Sequence, residues 1–153
     1  MARKSGGLVA EPSVTIFGRS MTIIQNETTL NRPIAEVYGF LADCNNHQQL
    51  MPESIYNWSS TRDEASFTIQ NMAKLALKVQ SRIENSEVVF VPSEKAPFDV
   101  TLRWKVEPRG AQLTRAALVI EADLNMMMKM LAAKPLQKLV DEQVGRLKTV
   151  LEG

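Results

Sequence analysis

The hydrophobic pattern of this chain changes its period late in the sequence. Residues 98–106 alternate strictly between apolar and polar side chains, which predicts a half-buried β-strand. A second strand pattern follows the turn signal at residues 108–110 and runs to Ala122. From residue 125 to 151 the apolar spacing is helical, and Pro135 inside it should kink or divide the helix. A long antiparallel hairpin that leads into a long amphipathic helix predicts a sheet that wraps a helix.

The preceding part of the chain predicts further elements of the same fold. Residues 22–30 are rich in β-branched side chains and predict a first strand. A helix should follow, with Asn31 as its cap and Pro33 near its first turn, and then a second short helix over 47–51. Apolar and polar patterning then predicts four strands, over residues 55–60, 65–72, 74–84 and 87–91. The prediction is an α+β fold with seven strands, two short helices between strands 1 and 2, and a long C-terminal helix.

Length and composition are those of one globular domain. The chain has 153 residues, of which 44% are hydrophobic and 23% are charged. Residues 1–20 carry glycine and proline breaks, and we expect them to be a poorly ordered N-terminal extension. Residues 21–153 are expected to form a single domain.

Several functional classes are excluded by what the sequence lacks. A net charge of +1, with dispersed basic residues, predicts no nucleic acid partner. No apolar stretch approaches the ~20 residues of a membrane span, and no secretory signal is evident. One cysteine cannot form an internal disulfide, which favours a cytoplasmic protein. One histidine and one cysteine offer no metal cluster, and no phosphate loop or dinucleotide motif is present, so we expect no metal and no cofactor.

Two stretches carry a family resemblance. Residues 30–43 read LNRPIAEVYGFLAD and are followed by a proline stop, LMP, at 50–52. Residues 98–104 read FDVTLRW, and the following strand leads through EADLN at 121–125 into the last helix. These stretches resemble the START-like superfamily, also called SRPBCC or helix-grip proteins, which includes the birch-pollen-allergen-like proteins and the polyketide cyclase/dehydrase group.

The resemblance covers residues 21–153 and implies both an architecture and a range of functions. It implies a curved antiparallel sheet that grips the C-terminal helix, with a lipophilic cavity between them. Most relatives of this size bind or transport hydrophobic small molecules, and a minority catalyse cyclisation or dehydration. No residue of this chain matches a family catalytic signature, so the resemblance implies no catalytic residues.

Candidate cavity residues are the aromatic and aliphatic side chains expected on inward faces, with one polar residue. Gln143 falls within the apolar stripe of the last helix, where a buried amide needs a hydrogen-bond partner such as a ligand carbonyl or hydroxyl. The candidates are Tyr38, Leu41, Tyr56, Trp58, Phe90, Leu102, Trp104, Leu118, Ile120, Met127, Met130, Leu136, Val140 and Gln143.

His47 and Cys44 are the residues with the most reactive side chains, and both have ordinary interpretations. His47 lies in the polar run 45–49, which predicts an exposed position. Cys44 is placed at a helix C-terminus, where the dipole disfavours a thiolate, and is expected to be a small packed residue. The two form an i, i+3 pair without a third orienting group.

Three functional hypotheses follow. The leading one is a non-catalytic binding or carrier protein for a lipophilic small molecule. The second is a cyclase/dehydrase-type enzyme, for which Tyr38, Tyr56 and His47 are the only proton carriers. The third is a protein-interaction module that uses the methionine-rich run 126–130, whose flexible side chains also suit a pocket rim or simple gap-filling. Self-association is left open.

Overall fold

The computed structural model describes residues 14–16 and 19–153 of the chain. Its strands are β1 (Val14–Ile16), β2 (Arg19–Leu30), β3 (Ile55–Ser60), β4 (Glu64–Ile69), β5 (Ala73–Ile83), β6 (Glu87–Pro92), β7 (Val100–Gly110) and β8 (Leu113–Ala122). Its helices are α1 (Ile34–Leu41), a 3-10 helix (Cys44–Leu50) and α2 (Met126–Glu152).

The strands form one antiparallel sheet in the order β1-β2-β8-β7-β6-β5-β4-β3. Strands β2 to β8 are the seven predicted strands, and they curl into a half-barrel around α2. The predicted α+β helix-grip architecture is therefore confirmed. Strand β1 pairs with the start of β2 and falls within the predicted extension, most of which lies outside the described residues.

Helix α2 lies along β2, and polar contacts fix it there. The Gln137 side-chain amide donates to the carbonyl oxygen of Gln25 at 3.2 Å, and Lys148 Nζ donates to that of Thr29 at 2.8 Å. The Asn125 side chain caps the helix by accepting from the backbone N–H of Met128 at 2.8 Å. These contacts hold α2 beside β2 along its length.

The sequence predicts that Pro135 kinks or divides this helix, and the second of these outcomes, division, is wrong. The helix is continuous from Met126 to Glu152, and Pro135 is exposed within it. Proline has no backbone N–H, so the carbonyl of Leu131 loses its i+4 partner. Because this turn faces outward, the carbonyl is left on the solvent side, and packing of the opposite face keeps the helix intact.

The apolar residues that alternate with polar ones along β7 and β8 point into the core, as the sequence predicts. On β8, Ala116, Leu118, Ile120 and Ala122 are all buried on one face. On β7, Trp104 is only 1% exposed. The apolar stripe of α2 closes the core with Leu136, Leu139, Val140, Val144 and Leu147. Burial of this surface is the main favourable term in the fold.

Two predicted boundaries are corrected by the structure. The hairpin turn lies at residues 111–112 rather than 108–110, because β7 continues to Gly110 through a register shift after Pro108. A shift of this kind accommodates a residue that lacks an N–H. Asn31 does not cap α1. The N-cap residue is Pro33, which makes no side-chain hydrogen bond to the helix. The backbone N–H of Asn31 instead donates to the carboxylate of Glu152.

The predicted second helix is a 3-10 helix that begins three residues early. It spans Cys44–Leu50, and the Asp43 side chain caps it by accepting from the N–H of Asn45 at 2.9 Å. A 3-10 helix has three residues per turn, so side chains three apart share a face. Cys44, His47 and Leu50 are accordingly buried together, while their polar neighbours stay at the surface.

Candidate functional site

A cavity of about 60 Å³ lies between the concave face of the sheet and α2. Side chains of β3 to β8, the 3-10 helix and α2 form its wall, together with Met51 and Phe98. None of the described residues that line it is Asp, Glu, Lys or Arg. The wall is therefore apolar apart from a few neutral polar groups.

The structure divides the predicted candidates into two groups of equal size. The cavity wall includes Trp58, Phe90, Leu102, Trp104, Ile120, Leu136 and Gln143. The other group lies elsewhere: Tyr38, Leu41, Tyr56, Leu118, Met127, Met130 and Val140.

Each residue of the second group has a physical reason for its place. Leu41, Leu118 and Val140 are fully buried in the surrounding core, and Tyr38 packs against that core at its edge. Tyr56 is 46% exposed, because it pairs with Thr68 on the face of the sheet opposite to the buried Ile55 and Ile69, and it lines an outer groove. The two methionines are on the exposed side of α2, as described below.

Sequence reasoning missed all of the wall residues that β4 and β5 contribute. The missed side chains are Ala65, Phe67, Ile69, Leu75 and Leu77. Their spacing of two was visible as alternation, but nothing in the sequence distinguishes a cavity wall from a filled core. The ring of Phe67 stacks on that of Trp58, with centroids 5.4 Å apart and an interplanar angle of 13°. This stack forms one side of the cavity.

His47 is buried in the cavity wall, so the prediction of an exposed histidine is wrong. Its side chain is 6% exposed, and Nε2 lies 2.8 Å from the carbonyl oxygen of Leu41. The ring meets that of Phe90 edge to face, with centroids 5.3 Å apart. Burial lowers the pKa of His47 below its ordinary value, against smaller opposing effects of the Leu41 carbonyl and Asp43. The imidazole is therefore neutral at pH 7.

Cys44 also lines the cavity, as the first residue of the 3-10 helix rather than the end of α1. The predicted packed role is confirmed by its burial. Burial raises the pKa of the thiol to about 11, and Arg82 only partly offsets this. A thiol with that pKa is a poor nucleophile at neutral pH.

Gln143 is the second polar residue of the wall and comes from α2. It is 3% exposed and lies within the apolar stripe of the helix. Among the residues that the structure describes, none hydrogen-bonds to its side-chain amide. Buried amides are normally satisfied, so this group is available to a ligand or to water in the cavity.

Of the surface grooves that share wall residues with the cavity, two have a mostly apolar surface. One groove, of about 390 Å³, runs between the β4–β5 turn, the loop before β7 and the start of α2, and shares Phe98 with the cavity. The other, of about 330 Å³, shares Ile69 and Leu139. Sites for drug-sized ligands usually measure about 300–1,000 Å³. The enclosed cavity is smaller than the about 150 Å³ of a cavity that binds benzene, so it holds only a small part of a ligand, and the grooves extend the space available to the rest.

The methionine-rich start of α2 presents apolar side chains to solvent. Met127 and Met130 are 70% and 78% exposed, and Met126 and Leu131 are similarly exposed. Met128 packs against the core and lines the first groove. The exposed set borders this groove and is not part of the cavity wall.

Within the part of the chain that the structure describes, no helix has the length and apolarity to cross a membrane. The long helix α2 carries charged residues throughout its length and is exposed on one face.

Comparisons with known proteins identify the fold. The chain matches no protein-family model and no curated protein sequence. A START superfamily protein from Mycobacterium smegmatis is similar in structure, with a TM-score of 0.60 and 16% identity over 84% of this chain and 98% of that one. TTHA0849 from Thermus thermophilus has a TM-score of 0.68 and 17% identity, over 85% and 97% of the two chains.

A third similar structure belongs to a biosynthetic protein. This is BexL, a di-domain ARO/CYC protein of the BE-7585A biosynthetic pathway, with a TM-score of 0.64 and 14% identity over 85% of this chain and 46% of that one. At such low identities these similarities establish the fold. The chain has a START-like helix-grip fold, as its sequence motifs imply.

Proposed function

We propose that this chain, given its START-like fold, binds an uncharged hydrophobic small molecule between the sheet and α2 and carries it without catalysing a reaction on it. The observation that supports the proposal is a neutral, largely apolar cavity whose wall contains a buried amide, that of Gln143, without a partner among the described residues. Apolar burial would supply most of the affinity, at about 25 cal/mol per Å². The single free cysteine fits a cytoplasmic location.

The size of the cavity defines how such a ligand would sit. A small part of the ligand would occupy the enclosed space of about 60 Å³. The rest of a longer ligand would leave past Phe98 into the first groove, or past Leu139 into the second. The ligand would then be only partly enclosed, which suits uptake and release.

Native mass spectrometry of the freshly purified protein, followed by solvent extraction, tests this proposal. We expect a discrete added mass that is lost on denaturation and identifies an uncharged apolar compound. A matched variant, Val100→Phe, should lose the adduct, because Val100 lines the cavity and a phenyl ring would fill it. A charged adduct, or one kept by the filled variant, would contradict the proposal.

A cyclase/dehydrase-type enzyme is the second candidate, and His47 is the observation that favours it. A neutral imidazole in an apolar cavity is a competent general base. Of the other proton carriers predicted, Tyr56 is outside the cavity and Tyr38 does not line it. If the extracted compound is converted by the wild-type protein and recovered unchanged from a His47→Gln variant, the enzyme is the better account.

The interaction-module alternative rests on the exposed side chains at the start of α2. Replacing Met127 and Met130 with serine would remove apolar contact surface without opening the core, because both are exposed. Loss of a specific protein complex in pull-down, with unchanged thermal stability and ligand binding, would support this alternative.

A further inference from the structure

The cavity wall contains polar groups but no charged ones among the residues described, which limits the ligands that it accepts. Besides His47 and Gln143, the polar groups of the wall are the Cys44 thiol and the indole N–H groups of Trp58 and Trp104. The Trp58 N–H already donates to Ser60 Oγ at 3.0 Å, and the thiol is a weak hydrogen-bonding group. The Trp104 N–H is a further donor, to which a ligand oxygen can also bond. A carboxylate or an ammonium group would be buried here without a counter-charge, and such burial is strongly unfavourable. The part of a ligand that enters the enclosed cavity is therefore neutral.

The hydrogen bond to Leu41 determines which hydrogen-bonding role remains to His47. A carbonyl oxygen only accepts, so Nε2 must carry the proton that points to Leu41. In a neutral imidazole the other nitrogen, Nδ1, then has a free lone pair and is an acceptor. Among the described residues, no group donates to Nδ1. The wall thus contains a hydrogen-bond acceptor, Nδ1 of His47, to which a ligand can donate.

Gln143 adds the complementary hydrogen-bonding groups from α2, which contacts the 3-10 helix. Its amide contributes two N–H donors and one carbonyl acceptor. Because the 3-10 helix supplies His47 and α2 supplies Gln143, the two residues approach the cavity from different elements. A neutral group that both donates and accepts would satisfy the imidazole nitrogen and the amide together.

Resting on the proposed function, we infer that the cavity selects a neutral apolar ligand that carries a hydroxyl group, as in a phenol. The hydroxyl O–H donates to Nδ1 of His47, and its oxygen accepts from the side-chain amide of Gln143. The ring lies against the aromatic side chains of the wall and extends past Phe98 into the first groove, because the enclosed space of about 60 Å³ does not hold a whole ring. An analogue without the hydroxyl leaves both protein groups unsatisfied, which a buried site strongly penalises.

A series of three small aromatic molecules tests this inference on the intact wild-type chain. The probes are p-cresol, p-xylene, in which a methyl group replaces the hydroxyl, and 4-methylanisole, which accepts but cannot donate. Affinities are measured by NMR titration of ¹⁵N-labelled protein, followed at the indole N–H of Trp104, which lines the cavity. We expect p-cresol to bind at least ten-fold more tightly than either analogue. The charged probe 4-methylbenzoate should show no binding.

A variant of Gln143 tests whether this residue causes the preference for p-cresol over p-xylene. Gln143→Met keeps the shape of the side chain and removes its hydrogen bonds, so the preference for p-cresol over p-xylene should fall several-fold while p-xylene binds at least as well. If p-xylene binds wild-type protein as tightly as p-cresol, or the variant keeps the full preference, the inference is overturned and the proposed function stands. If no probe binds, both are overturned. The wild-type series decides the matter even if the variant fails to fold.

Discussion

Nε2 of His47 lies 2.8 Å from the carbonyl oxygen of Leu41, the last residue of α1. This contact joins the end of one helix to the middle of the next and orients the imidazole in the cavity wall. Burial lowers the pKa of His47, so the imidazole is neutral, and its Nε2–H donates to the Leu41 carbonyl. Stability and ligand recognition are therefore linked at this residue.

The first prediction concerns the pH dependence of stability. The pKa of His47 is lower in the folded state than its ordinary value of 6.5, so the unfolded state binds the proton more readily. The stabilising effect is complete above about pH 6.5 and is lost as the pH falls towards the folded pKa, at about 1.4 kcal/mol per pH unit. Urea unfolding followed by circular dichroism at pH 7.5 and 5.5 should show this loss.

A conservative variant assigns this pH effect to His47. His47→Gln keeps an N–H that can donate to the Leu41 carbonyl and removes the titration. His47 is the only histidine in the chain, so no other side chain of ordinary pKa titrates in this range. Equal loss of stability in the variant and the wild type between pH 7.5 and 5.5 would show that the histidine is not the cause.

The second prediction concerns the reactivity of Cys44. Because burial raises the pKa of its thiol to about 11, very little thiolate exists at pH 8, and the sulfur is shielded as well. Iodoacetamide should label the native protein at least a hundred-fold more slowly than the urea-unfolded protein, as measured by mass spectrometry. Rapid labelling of the native state would show that the 3-10 helix opens readily.

The third prediction concerns Pro135 in α2. Pro135→Ala restores a backbone N–H that can bond to the carbonyl of Leu131, and the site is exposed, so alanine fits without clash. Helix propensity favours alanine over proline by about 3 kcal/mol in a helix interior. We expect stabilisation of about 1–3 kcal/mol in urea unfolding. The control variant Lys134→Ala, at the neighbouring exposed position, should change the free energy of unfolding by less than about 0.5 kcal/mol. If Pro135→Ala lowers the free energy of unfolding, the packing of α2 needs proline at this position.

Most of the fold was predictable because its elements have strong periodicity. Strand β8 buries every second residue, and α2 buries a single stripe, so pattern alone fixed the element type and the inward face. The residues at which each strand and helix begins and ends depend on features that the hydrophobic period does not show. The bulge after Pro108, which carries β7 on to Gly110, is one example.

The candidate site was less predictable, and His47 shows why. Its neighbours in the run 45–49 are polar, so a pattern with a helical or strand period places the whole run at the surface. A 3-10 helix has a period of three, which brings Cys44, His47 and Leu50 to one buried face. That spacing of three was the available signal. The cavity itself was not predictable, because a void is a property of packing rather than of any residue.

The central claim, that the space between sheet and α2 takes up an uncharged apolar ligand, is tested most directly by titration with the neutral fluorophore N-phenyl-1-naphthylamine. The wild-type protein should bind it with enhanced fluorescence, Val100→Phe should bind at least ten-fold more weakly, and Ala35→Leu, an equally apolar change at an exposed site, should match the wild type. Absence of binding to the wild type, or equal binding to the cavity-filled variant, would contradict the claim.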